Sequence, residues 1–394
     1  MSAEQDPQVL LEDLAAVLND VSSQTAIADP RDQWEIDVRD VIQEMMRPWE
    51  RPAAARNYLN PQIVDVRAQR RAAVKLSDCP VCDGRRGIPT FEIHGMRHQL
   101  LTCESCGLGR LDPLPSLQEI AEFYPAEYYG SRGAKFEPLT EAVVRVVGTI
   151  HVRTLSRQLS PGSRILDVGC GRGVLLGALA DRGHEVHGMD VSETAVAGAD
   201  SRAAIRVAPC LTKVGYPDGH FDQVILWHVL EHLRNPRELL REVRRILKPG
   251  GQVIVAVPNF SSRQARWAGA AWFHLDLPRH LFHFPVAGLR RLLDRTGFDV
   301  IREQHFSLRQ NPFGWVQSAL NKSDGVSRNT LYHLLHNRCG AAGQCAPEGR
   351  GLSRWNQRRL RAAYLAGMPL AVLLSLWDTA LRSGASICLV GRAE

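Results

Sequence analysis

No hydrophobic run in the chain is long enough to span a bilayer. The closest approach, Ala362 to Trp377, is sixteen uncharged residues interrupted by Pro369, short of the ~20 needed to cross the hydrocarbon core. A secretory leader is also missing, because "MSAEQDPQ" is polar and acidic. The nine cysteines are therefore read as metal ligands or buried thiols in a reducing compartment, not disulfides, and the protein is expected to be cytoplasmic. Internal repeats are lacking, which argues against a solenoid. Dense interleaving of basic and aromatic residues is lacking too, and that disfavours nucleic acid as a partner.

What is present describes a globular protein. Apolar content of 44% and charged content of 23% exclude a disordered chain, and 394 residues allow two or three domains. Charge is unevenly placed. Residues 1–50 hold 12 acids and 3 Lys/Arg, a net of −9, so the rest carries +15. A basic body favours anionic partners, or is simply a solvated surface.

Periodicity divides the chain further. Apolar residues at helical spacing predict two amphipathic helices, over 8–21 (Leu10, Leu14, Val17, Leu18, Val21) and 34–46 (Trp34, Val38, Val41, Ile42, Met45). Residues 1–75 are therefore expected to form a helical extension. Cysteine pairs and a Pro/Tyr-rich stretch occupy 76–138. From 139 to 306 strand and helix signals alternate: strands at 164–168, 185–190, 221–228, 252–257 and 298–305, and helices at 173–181, after Asn235–Pro236, and at 285–295. Such alternation implies an α/β fold with a mostly parallel sheet covered on both faces. The pattern lapses over 307–384, read as a helical insertion, and returns at "GASICLVGRAE" (385–394 closing the sheet).

The strongest motif is "RILDVGCGRGVLLGALADRGHEVHGMD". Its glycines, Gly169, Gly171 and Gly173, follow G-x-G-x-G, one residue off the dinucleotide fingerprint. Asp167 lies two residues before the first glycine, where a pyrophosphate would meet a like charge. A cationic ligand is favoured there. S-adenosylmethionine carries a sulfonium and an ammonium and has no phosphate, so it fits. Asp190, ending the second strand, can accept both ribose hydroxyls, and the adenine wall is expected near Ala208–Leu211. The plainer alternative is that Asp167 caps the next helix and the glycines only make a tight turn.

"ILDVGCGRG", "GMDVS", "PDGHFDQVILWHVLEHLRNP" and "ILKPGGQVIVAVPN" resemble the successive motifs of class I S-adenosylmethionine-dependent methyltransferases, over about 160–306. The resemblance implies a doubly wound seven-stranded sheet of order 3-2-1-4-5-7-6 with strand 7 antiparallel. It also implies that Asp167, Gly169, Gly171 and Gly173 line the methionine end and Asp190 holds the ribose. Many members carry an acid after strand 3 for the adenine amino group. Here Cys210 and Thr212 stand in that vicinity.

Cys79 and Cys82 ("CPVC") and Cys103 and Cys106 ("CESC") are separated by 20 residues, a spacing that brings four thiolates to one structural zinc. With the stretch after it, this small ribbon resembles the N-terminal module of a bacterial methyltransferase branch that includes sugar C-methyltransferases, and there it packs beside the substrate cleft.

Methyl transfer to a hydroxyl or a carbon can need a base. The candidates are His228 and His232 in "WHVLEH", expected on one face of a short helix, and His280 in "LPRHLFHF". Glu231 and His232 could equally brace the loop. Trp272, Phe273, Phe282 and Phe284 are read as a lid or wall. In the tail, His333, His336, Cys339 and Cys345 match no ligand pattern. Arg354, Arg358, Arg359 and Arg361 precede the apolar run, so 350–377 suits peripheral contact with the inner face of the membrane, or alternatively a buried helix or a dimer contact.

The expected function is S-adenosylmethionine-dependent methyl transfer to a small-molecule, sugar or lipid-linked acceptor, in cell-envelope or secondary-metabolite biosynthesis. The rivals are a nucleic-acid or translation-component methyltransferase guided by the ribbon, and a non-catalytic S-adenosylmethionine-binding regulator. "VPN" (257–259) stands where an N-P-P-Y-type motif serves exocyclic amines, which weakens the first rival. No feature specifies an oligomeric state.

Overall fold

The structure, a computed structural model, describes residues 61–69, 71–124, 159–323, 327–335 and 354–394. The helices expected over 8–21 and 34–46, and His336, Cys339 and Cys345, lie outside these residues.

Two sheets organise the rest. The first is antiparallel: β1 (Ile63–Asp65), β2 (Val74–Lys75), β3 (Arg86–Ile93), β4 (Gln99–Cys103) and β5 (Gly109–Asp112). It is followed by α1 (Leu117–Glu122), which opens with a capping box. Glu119 N–H donates to Ser116 Oγ at 3.2 Å, and Ser116 N–H donates to Glu119 Oε2 at 2.8 Å. The expected boundary at 75/76 is corrected here, since β1 and β2 pair with β3 and place Ile63–Lys75 inside the ribbon sheet.

The second sheet is the larger. In chain order its unit runs β6 (Arg164–Val168), α2 (Val174–Ala180), β7 (Glu185–Asp190), α3 (Glu193–Val196), β8 (Ala204–Val207), β9 (Phe221–Trp227), α4 (Pro236–Ile246), β10 (Leu247–Pro258), α5 (Arg263–Ala268), β11 (Phe282–His283), α6 (Val286–Asp294), β12 (Phe298–Gln304), α7 (Asn311–Asn321), α8 (Thr330–Leu335), α9 (Arg354–Ala380) and β13 (Ser386–Ala393). Strand order is β12-β13-β10-β9-β6-β7-β8. Counted within the sheet this is 3-2-1-4-5-7-6, and β13 is antiparallel to both neighbours. The central strands read as near-continuous apolar runs because both faces are covered: Ile165 and Leu166, Val224 to Leu226, and Val253 to Val257 are all buried.

Two local expectations change. β10 begins at Leu247, not at 252, and a register shift between Leu247 and Gln252 absorbs "KPGG". Asn235 stands at the N-cap of α4 with Pro236 in the first turn, but its side chain makes no capping hydrogen bond.

β11 is not part of the large sheet. It pairs with β5, Phe282 opposite Arg110 and His283 opposite Gly109, and closes the ribbon sheet from the methyltransferase-like side. The two sheets are thereby joined through the chain after β10.

The insertion α7–α9 packs on itself through Val316, Leu331, Leu360 and Ala371. It is fastened to the large sheet by two buried asparagines. Asn259 Nδ2 donates to Gly384 O at 2.9 Å; Asn311 Nδ2 donates to His305 O at 2.8 Å, and Asn311 Oδ1 accepts from Ser386 N–H at 3.1 Å. Gly384 makes this join possible, because a Cβ there would stand 1.8 Å from His305 O. Gly384→Ala should therefore lower unfolding stability by about 3 kcal/mol, read as a fall in the urea midpoint; an unchanged midpoint would contradict this close approach.

Candidate active site

The glycine loop leaves the carboxyl end of β6. Gly169, Gly171 and Gly173 all have positive φ, at 73°, 48° and 65°, a region that L side chains rarely enter. Gly169 is also needed for space, because a Cβ would lie 2.5 Å from Val229 Cγ2. The loop thus lies directly against the residue after His228. Asp190 fastens it from the end of β7: Oδ2 accepts from Gly171 N–H at 2.9 Å and Oδ1 from Ser192 N–H at 3.0 Å. Each oxygen keeps a lone pair for a ribose hydroxyl. Ala208–Leu211 follows β8, with Ala208 N–H on Asp190 O at 3.0 Å, so the expected adenine wall borders the same end of the sheet.

Asp167 is buried, and its carboxylate has no hydrogen-bond or ion-pair partner among the described residues. Burial first, and then the charge of Asp190, push its pKa up to about 8. A buried acid without a donor suits an ammonium group, so these residues fit the aminoacid end of S-adenosylmethionine.

The histidines come from two loops. His228 follows β9 in a left-handed conformation, φ 55°, and its N–H donates to Ala256 O at 2.9 Å. Its Nδ1 lies 3.1 Å from Glu231 Oε1 and its Nε2 3.4 Å from Gln310 Nε2. With Nδ1–H donating to the carboxylate, the Nε2 lone pair accepts from the Gln310 amide N–H, a long contact that an acceptor hydroxyl can replace. Glu231 is fully buried. Burial raises its pKa, but the His228 hydrogen bond and the charges of His232, His228 and His280 outweigh that and hold it at about 2. His228 and His232 do not share a helix face. Only Leu230–His232 forms a 3-10 turn, and His228 precedes it.

His280 donates Nδ1–H to His274 O at 2.9 Å, and its ring meets that of His232 at 4.6 Å between centroids. Burial, then His232, lowers its pKa to about 3, so it is neutral at physiological pH. One ligand-type atom from each of Glu231, His232 and His280 falls within 4.8 Å of the others. The sequence reading missed three neighbours. Tyr124 brings its hydroxyl 2.7 Å from His232 Nδ1, Gln310 reaches His228, and Arg279 pairs with Asp276. Only Tyr124 carried a signal, the Tyr-rich stretch after the ribbon. Trp272, Phe282 and Phe284 are fully buried core, not a lid.

The loop holding His280 is fixed from both sides. Leu281 N–H donates to Glu231 O at 2.8 Å, and Leu281 O accepts from Leu111 N–H at 2.9 Å. One residue thereby ties the β9 loop to the ribbon.

The ribbon's four cysteines converge. Cys79 and Cys106 sulfurs are 3.6 Å apart, as are those of Cys82 and Cys103. Four sulfurs around one zinc at 2.3 Å stand about 3.8 Å apart, so the set fits a closed structural site. Each knuckle turns through a left-handed residue after its second cysteine, Asp83 (φ 61°) and Gly107 (φ 73°). Gly84 is small for another reason: a Cβ would lie 3.0 Å from Ser105 Oγ. Two arginines hold the first knuckle to the larger domain. Arg237 donates to Pro80 O at 2.8 Å and to Asp83 at 2.8 Å, and Arg295 also pairs with Asp83.

Two outcomes follow from this geometry. At pH 7 an uncharged Asp167 must ionise to meet an ammonium, so cofactor binding should release a proton and tighten as pH rises from about 6 to 8. Titration calorimetry in buffers of different ionisation enthalpy measures the release, and no buffer dependence would count against a raised Asp167. Purified protein should also carry about one zinc per chain. Cys103→Ser should lose it, and hydrogen exchange should then show lost protection at Leu281–His283 with β6 and β7 unchanged; equal protection in metal-free protein would separate the ribbon from the histidine loop.

Comparison with known proteins places the chain by sequence. The family described as "Methyltransferase domain" matches residues 145–303. The ubiquinone biosynthesis O-methyltransferase of Pseudomonas aeruginosa (strain PAO1) is 31% identical over 177 residues, 42% of this chain and 74% of that protein. The protein of that name from Maricaulis maris is 33% identical over 212 residues, 51% and 81% respectively. A solved S-adenosylmethionine-dependent methyltransferase from Archaeoglobus fulgidus aligns with a TM-score of 0.39 at 18% identity, over 63% of this chain and 94% of that one. The chain belongs to the S-adenosylmethionine-dependent methyltransferases, with S-adenosylmethionine as its cofactor.

Proposed function

We propose that the protein O-methylates a small-molecule hydroxyl and that His228 is the general base. The observation that carries this is the His228–Glu231 pair. It sits at the carboxyl end of β9, beside Val229, which touches the glycine loop at Gly169. The bound cofactor supplies an electrophilic methyl carbon on a sulfonium. His228 Nε2 accepts the proton of the acceptor hydroxyl as its oxygen forms the new bond to carbon and the carbon–sulfur bond breaks. Glu231, ionised and buried, fixes the Nδ1–H tautomer and stabilises the imidazolium that results. His232 and His280 form the wall behind this pair, and the Tyr124 hydroxyl orients His232 from the ribbon side. Asp167, Gly169, Gly171, Gly173 and Asp190 hold the cofactor.

The names of the relatives, O-methyltransferases of ubiquinone biosynthesis, support an oxygen nucleophile on a small molecule. They favour this reading over a nucleic-acid acceptor. The intact Asp167 and Asp190 together with a positioned base favour it over a non-catalytic binder. A sugar or lipid-linked hydroxyl remains within the class; a cell-envelope setting gains no support from the relatives.

The test is a panel of phenols, catechols and sugars with label in the donor methyl group. With the best acceptor, His228→Ala should lower kcat by ~10²–10⁴-fold while S-adenosylhomocysteine binding stays within a few-fold. Full turnover in His228→Ala would remove the base assignment.

A further inference from the structure

The long helix α9 has two unlike faces. Leu360, Tyr364, Met368 and Ala371 pack inward with Val316 and Phe313 of α7. The opposite arc carries Ala362, Leu365, Pro369, Leu370, Leu373, Leu376, Trp377 and Leu381, which recur every three or four residues and so share one face. Leu365, Leu370, Leu373 and Trp377 are each more than half exposed, and only 17% of the helix's most apolar window is buried. The stripe runs about 30 Å along the helix without a charge. At its start Arg358 and Arg359 are exposed on the same arc, with Arg354, Arg361 and the exposed Trp355 beside them. The helix's single acid, Asp378, is buried and accepts from Trp315 Nε1 at 3.0 Å.

We propose that this face of α9 docks on an anionic lipid surface, lying in the headgroup region with the arginines on lipid phosphates. The sequence left a buried helix and a dimer contact as alternatives. Burial is overturned by the exposure. A second copy fits poorly on charge: parallel packing would bring the two arginine groups together, and antiparallel packing would set them over an uncharged end. Phosphates supply counter-charge to the exposed Arg358 and Arg359. Although its uncharged run is only sixteen residues, the whole 27-residue helix is long and apolar enough to cross a membrane; its inward face is packed on α7, so it lies on the bilayer and does not span it. Tryptophans near both ends, Trp355 and Trp377, suit an interfacial helix. This inference is independent of the acceptor and of the base.

Flotation of the full-length protein at low salt tests it. Vesicles of phosphatidylcholine mixed with phosphatidylglycerol should carry the protein up, and vesicles of phosphatidylcholine alone should not. Leu370→Ser with Leu373→Ser should abolish flotation, and Arg358→Gln with Arg359→Gln should weaken it about 30-fold, from ~1 kcal/mol per arginine. S-adenosylhomocysteine binding should be unchanged in both variants, which shows that they fold. No flotation, equal flotation of the variants, or equal binding to phosphatidylcholine alone would overturn the proposal. So would a dimer by light scattering that the leucine variant dissociates, because a second copy would then be what covers the stripe.

Discussion

The backbone of Leu281 holds the histidine loop together. Its N–H satisfies the carbonyl of Glu231 and its carbonyl satisfies the N–H of Leu111, so the loop after β9, the loop after β10 and the ribbon share one hydrogen-bonded line. Backbone groups buried this deeply must find partners, and here each finds one in a different segment of the chain. That constraint puts His280 against His232 and makes β11 the last strand of the ribbon sheet. The ribbon is therefore a brace for the histidine loop as well as the carrier of a four-cysteine cluster that fits a zinc. Arg237 and Arg295, reaching from the larger domain to Asp83, close the same join from behind.

Two buried carboxyl groups at neighbouring strand ends behave in opposite ways, and the difference is one of donors. Asp167 and Glu231 both suffer desolvation. Asp167 has no donor and a like charge nearby, so its proton is held up to about 8. Glu231 has His228 in contact and further imidazoles close by, so it is ionised down to about 2. The first is an unfilled demand for a cation, as a binding site requires. The second has its demand met within the chain, as an orienting group requires. The two acids would thereby serve different reactants from adjacent strands.

Legibility in the sequence follows how local the determining contacts are. β6, the glycine loop and β7 lie within one run of fewer than thirty residues, and their boundaries are read almost without error because loop geometry and strand burial are set by near neighbours. The four-cysteine cluster is equally legible, since C-x2-C spacing encodes its own turn. β8 leaves no periodic signal: "AIRV" is a four-residue, mostly exposed edge strand, too short to show alternation. The ribbon strands before Cys79 leave no signal because β1 and β2 are three- and two-residue strands whose partner is β3. Of the two readings of the aromatics of 272–284, a lid or a wall, the lid fails because Trp272, Phe282 and Phe284 are buried, although loops are ordinarily at the surface.

The histidines show where local reading stops. "WHVLEH" suggested i, i+4 geometry, but the left-handed turn at His228 breaks the helix before it starts and aims the ring at Glu231 three residues on. Gln310, from an insertion eighty residues away, then meets its Nε2, and Tyr124, from before the large sheet begins, meets His232. None of these pairings leaves a spacing pattern. The glycine loop and Asp190 come from contiguous sequence and are legible from it. The histidine cluster is assembled from four distant segments, so its pairings exist only when the ribbon and the insertion are folded against the sheet.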